Sequence, residues 1–175
     1  MARIHLPTVA EMSAGQKEQY DRFPANLTRA LVTTTACAPS FLTMGVAFRV
    51  GQLGEKDREL VILRVAALSG SAYERMQHLP IARGVGWSDD DIARIERGAG
   101  FDARSDTLLR FVDECVDRVK VTDATFAAAR AFLSEGEIAE MVILIGHYMM
   151  TARFLETLEV DLDVAATPWD NMKVG

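Results

Sequence analysis

Glu55-Lys56-Asp57-Arg58-Glu59-Leu60-Val61-Ile62-Leu63-Arg64-Val65-Ala66-Ala67-Leu68 decides the fold. From Leu60 onward this stretch is apolar around almost the whole circumference of a helix, interrupted only by Arg64, with Glu59 just before it. So dense a run also suits a buried strand, but its length and its good helix formers favour a helix covered on most sides. A carboxylate on such a helix is costly to bury alone. Glu59 must therefore be protonated or partnered, and Arg58, Arg64, Arg153 and His78 are the candidates.

Outward from this helix, Ser69-Gly70-Ser71 breaks the run. A second helix continues to about Arg83, closed by Gly84 or Gly86. Ser88 to Asp91 carries the hydroxyl and acidic groups that satisfy free N–H groups at a helix start. Further helices are expected after Ser105, from Thr122 to Phe132, and from Ser134 to about Leu158, where Ser134 and Glu137 form a capping box. Toward the N-terminus, Leu27 and Leu31 open a helix, and Pro39 suits the first turn of another through Arg49. Residues 1–23 read as an arm with one short helical turn. No segment longer than five residues alternates cleanly in the manner of a strand, so the class is all-α: six to eight helices in one domain spanning residues 1–175.

A chain of 175 residues, 49% hydrophobic, can bury roughly 70% of its unfolded surface, enough for one core. The net charge of -6 offers no basic field for nucleic acid or an anionic membrane. An anionic substrate would need a local positive or hydrogen-bonding pocket. The N-terminus lacks the pattern of a signal peptide, and the most apolar stretch, Met141 to Ile145, falls far below the ~20 residues of a membrane span. A cytoplasmic protein is expected. Cys37 and Cys115 form no C-x-x-C pair, so they make neither a dithiol centre nor a thiolate metal site, and reduced core thiols are expected.

Chemistry concentrates in Ser71-Ala72-Tyr73-Glu74-Arg75-Met76-Gln77-His78. On a helix, positions 71, 74 and 78 share a face, so Glu74 and His78 could share a proton. Ser71-x-x-Glu74 equally matches a capping box, which explains both residues without catalysis. A raised-pKa carboxyl at Glu59 beside His78 would make an acid/base pair, and a structural ion pair is the alternative. His147 either lines the same pocket or is a hydrogen-bonded core histidine. Glu59, Glu74, His78 and His147 offer metal-ligand chemistry, but Glu74 and His78 lack the Glu-x-x-His spacing of di-iron bundles, and no metal or cofactor is expected. Phosphate-loop, serine-elbow and dinucleotide motifs are absent from the sequence.

Arg58 to Ala67, Ser71 to Glu74, His78, and the later block His147 to Phe154 together resemble the carboxymuconolactone decarboxylase family, with its alkylhydroperoxidase D-like helical bundle. The resemblance covers most of residues 38–163. In the peroxidase relatives a glutamate precedes two cysteines, a histidine between them and a histidine beyond. The resemblance aligns Glu59 with the glutamate, Ser71 and Glu74 with the cysteines, Tyr73 with the intervening histidine and His78 with the final one. Ser71 and Glu74 supply no thiol, so peroxide reduction would have to recruit Cys37 or Cys115 from other elements.

The decarboxylase side of the family implies cofactor-independent acid/base chemistry on a small carboxylated lactone or organic acid. His78 would transfer a proton, Glu59 would orient it, Tyr73 would donate to a developing oxyanion, and Arg75 or Arg153 would hold an anionic substrate. The competing class is a noncatalytic binding or assembly protein, with a closed Glu59–His78 pair and no ligand-sized cavity between subunits. The resemblance also implies a homo-oligomer, whether dimer, trimer or hexamer, with Phe41, Met44 and Phe48 at the interface.

Overall fold

The computed structural model describes residues 1–168. Among the described residues, nine α-helices follow a 3-10 turn at Val9–Glu11: α1 Ala14–Arg22, α2 Asn26–Leu31, α3 Cys37–Ala47, α4 Glu55–Ser69, α5 Ala72–Gly84, α6 Asp89–Arg97, α7 Ala103–Arg118, α8 Asp123–Arg130 and α9 Glu135–Thr157. The class is all-α, with more helices than the six to eight expected. The surplus lies partly in the supposed arm, where Ser13 and Gln16 cap α1 reciprocally. Because α1 buries no residue, its sequence carries no apolar stripe.

α4 is the axis of the bundle, packed against α5, α6, α7 and α9. Leu60, Val61, Ile62, Leu63 and Val65 are each no more than 1% exposed, as expected of a helix covered on most sides. Its polar interruptions are all partnered. Arg64 donates to Asp113 at 2.6 Å and to the Glu96 carbonyl at 2.7 Å, so it is not the partner of Glu59.

α4 ends at Gly70, whose φ of 64° closes the helix in the left-handed region. Ser71 follows at once as the N-cap of α5, accepting from the Glu74 N–H. The α4–α5 hairpin therefore has almost no linker, and it brings two short spans of sequence into one site. Pro39 lies in the first turn of α3, and the Ser134–Glu137 capping box starts α9, both as the sequence indicates.

Twenty-three residues long, α9 is apolar enough by length and composition to cross a membrane, a property hidden by judging only Met141 to Ile145. It packs lengthwise on α4 and buries Met141, Leu144, Ile145, Tyr148 and Leu155, the role of a core helix. A second, smaller apolar cluster joins α2 and α3 to Tyr73 and Leu155. Between the two clusters lies the site.

Candidate active site

Glu59, on the second turn of α4, is 1% exposed. Its Oε2 accepts from His78 Nδ1 at 2.8 Å, and its Oε1 accepts from Arg58 Nε at 3.1 Å. Burial pushes the Glu59 carboxyl up, but the His78 and Arg58 charges and hydrogen bonds outweigh it and hold the pKa below the ordinary value. Of the two readings open for this position, a raised carboxyl and an ion pair, the lowered value goes with the ion pair to Arg58. With an ionised acceptor at Nδ1, that nitrogen carries the proton.

The other nitrogen of His78, Nε2, lies 2.9 Å from the Tyr148 hydroxyl. Burial first, then the neighbouring Glu59 and Glu74, raises the Tyr148 phenol well above its ordinary value, so it stays protonated. Glu59, His78 and Tyr148 form one hydrogen-bonded line across α4, α5 and α9. Tyr148 was absent from the sequence-derived set because a tyrosine inside an apolar helix looks like core. The available signal was that a buried phenol needs a polar partner.

Beside this line is a cavity with about 40 Å³ of space for water centres, room for roughly three waters or a compact molecule. Phe41, Tyr73, Glu74, His78, His147 and Tyr148 are among its lining residues. A smaller cavity of about 20 Å³ touches Arg49, Arg58 and Glu59. His78, Tyr148 and Gly45 line both. Four of the five predicted residues therefore share the larger cavity, and Glu59 stands behind His78.

Glu74 does not close a capping box. Ser71 accepts from the Glu74 N–H, but both Glu74 carboxyl oxygens are buried with no hydrogen-bond partner among the described residues. Nor does Glu74 bond to His78, despite their i,i+4 spacing. Burial, with a small addition from Glu156, raises its pKa to about 9 against the lowering effect of Ser71, so the group is neutral at pH 7. Burial and the charge of His78 lower His147 to about 4. Its ring packs against Phe41, Phe48 and Tyr148, and it too is neutral.

The Tyr73 hydroxyl is committed elsewhere. It accepts from the Leu27 N–H at 3.0 Å and donates to Asp163, which also accepts from Gln77 at 3.0 Å and from the Asn26 N–H at 2.9 Å. Arg75 pairs with Glu96 at 2.5 Å, and Arg153 donates to the Met149 carbonyl. Neither arginine lines the larger cavity. Cys37 is exposed and Cys115 half-buried, the latter with a pKa raised by burial; neither lines either cavity. Among the described residues, no group of three His, Cys, Asp or Glu side chains is placed to hold a metal.

The stretch from Phe41 to Glu114, which holds α4 and α5 entire, matches the family model described as the carboxymuconolactone decarboxylase family. The match covers less than half of the 175 residues. No curated protein matches the chain. Solved structures extend the likeness beyond the matched segment. An uncharacterized peroxidase-related protein from Ralstonia eutropha JMP134, with an alkylhydroperoxidase AhpD core, is 16% identical at a TM-score of 0.80, over 93% of each chain. A peroxidase-related protein from Silicibacter sp. TM1040 is 16% identical at 0.79, over 93% of this chain and 92% of that one. An Agrobacterium tumefaciens protein of unknown function is 20% identical at 0.69, over 75% of this chain and 94% of its own. At these identities the likeness is one of fold: an AhpD-like bundle, here with its two cysteines unpaired.

Proposed function

We propose that the chain is a cofactor-independent acid/base enzyme of the lyase type, acting on a small lactone or organic acid in the cavity beside His78. One observation carries this reading: the His78 imidazole is held at both nitrogens, by Glu59 and by Tyr148, in the wall of a cavity. Glu59 fixes the tautomer and stabilises an imidazolium, leaving Nε2 as the basic nitrogen. A proton leaving a substrate carbon next to a carbonyl passes to the Tyr148 oxygen as the phenol hands its own to Nε2. The C–H electron pair moves onto the carbonyl oxygen. Neutral, protonated Glu74 in the same wall offers a donor for that oxyanion. Collapse of the oxyanion re-forms the carbonyl, makes a C=C bond and breaks the bond to a leaving group on the next carbon, which departs with the proton returned from His78 through Tyr148.

The cavity supports an enzymatic role over a noncatalytic one, which would need only the closed Glu59–His78 pair. The test is deuterium uptake at carbon from D2O, followed by NMR, across lactones and organic acids with and without a carboxylate, together with carbon dioxide release. Uptake or release that His78→Gln lowers by about 10²-fold or more is expected. No exchange and no carbon dioxide from any compound at high enzyme concentration would sink the reading.

Self-association belongs to the same proposal. Val142, Ile143 and Met150 on α9, and Met44 on α3, are exposed apolar side chains. Phe48 is buried and Phe41 half-buried, so of the three expected interface residues Met44 is the exposed one. Light scattering should give a mass above 19.3 kDa; a monomer at every concentration would defeat this part.

A further inference from the structure

We infer that the larger cavity takes an uncharged, compact molecule with an apolar body and one hydrogen-bonding oxygen, and excludes carboxylates. This inference rests on the acid/base reading and narrows its substrate class. The wall is almost wholly carbon, supplied by Phe23, Leu27, Phe41 and Leu42 among others, and no arginine or lysine lines it among the described residues. Among its polar members His147 is neutral at pH 7 and Glu74 is protonated, while the His78 imidazole is already paired with the buried Glu59 carboxylate behind it, at 2.8 Å.

The arginines that share a cavity wall with His78 are in the smaller cavity. Arg49 and Arg58 line the cavity of about 20 Å³, which has room for about one or two waters. An anionic ligand in the larger cavity would lose its hydration with no counter-charge, at several kcal/mol in the general case. A neutral carbonyl or hydroxyl loses less and can use the Glu74 carboxyl, whose two oxygens are buried without partners, or the His147 imidazole.

Three probes of about six heavy atoms suit the space: γ-butyrolactone, and the isosteric pair isobutyramide and isobutyrate, which differ in charge at constant shape. Binding is read at pH 7 from the imidazole NMR signals of His147 and His78, independently of turnover. γ-Butyrolactone and isobutyramide should give saturable shifts, with isobutyrate at least about ten-fold weaker. Gly45→Ala places a methyl at ordinary contact, 3.8 Å from His147 Nε2, in the lining of the cavity. That variant should keep its melting temperature and weaken γ-butyrolactone about five-fold or more.

Isobutyrate binding as tightly as isobutyramide, no saturable shift from γ-butyrolactone, or a folded Gly45→Ala protein that binds unchanged would overturn the inference. Neutral probes that bind without any deuterium exchange would leave this inference standing while the catalytic reading failed. Exchange or decarboxylation confined to carboxylated substrates would do the reverse.

Discussion

Tyr148 and His78 meet at 2.9 Å between the phenol oxygen and Nε2, 70 positions apart in the chain. The contact joins α9 to α5 and extends the Glu59–His78 pair into a three-residue line. Replacing Tyr148 with Phe keeps the ring and removes only the hydroxyl, leaving a buried imidazole nitrogen without that partner. The expected cost is about 1–2 kcal/mol of stability. The expected loss of proton-transfer rate is about 10²–10⁴-fold, against less than about ten-fold for His147→Gln. Denaturant titration and the deuterium-exchange rate, measured on the same preparations, check both halves.

Glu74 sets a pH dependence. Its pKa rises from 4.5 to about 9 on folding. Between those values the folded chain keeps a proton that the unfolded chain has lost, so stability falls as pH rises, by at most about 1.4 kcal/mol per unit. Glu74→Gln removes the titration. Urea unfolding of both proteins from pH 5 to 8.5 should show the variant gaining on the wild type steadily. A constant difference across that range would show that Glu74 does not titrate as described.

Gly98 ends α6 at φ 73°, and a Cβ there would stand 2.7 Å from Arg64 Nη2. Alanine would be strained and would also displace the guanidinium that joins α4 to α6 and α7 through Glu96 and Asp113. Gly98→Ala should therefore cost about 1–2 kcal/mol or more. At Gly84, a helical position with open space around it, alanine should be neutral or stabilising by up to ~1 kcal/mol. Melting temperatures of the two variants should move in opposite directions, or at least differ by several degrees.

The thiols should be dispensable. Neither Cys37 nor Cys115 lines the cavity, and the chain lacks a resolving pair. The double variant Cys37→Ser, Cys115→Ala should retain the wild-type exchange rate within about two-fold. A thiol-dependent peroxidase activity abolished by that double change would contradict the assignment of the chemistry to His78.

Much of the fold was legible because α4 announces itself: a run that is apolar on every side needs neighbours on every side. The Glu59–His78 pair was legible for a related reason, since a carboxylate in that helix demands a partner. α1 was missed because a helix that buries nothing has no stripe to read, although its Ser13–Gln16 cap was visible in the sequence. Glu74 was misleading. Its spacing from Ser71 fits a cap, and only the packing reveals that its carboxyl turns away from that duty. Tyr148 escaped notice because a hydroxyl at the end of a core aromatic gives no periodic signal, and its partner lies on a helix remote in sequence.

The Gly70–Ser71 joint makes the site a matter of counting. Glu59 and His78 lie 19 positions apart, across two helices and a joint of almost no length. One residue inserted between Ser71 and His78 would turn the imidazole by about 100° around the α5 axis. Every side chain of the line would still be present, yet Glu59 and Tyr148 would have nothing between them. Substitution can tune this site, but a change of length within α5 erases it.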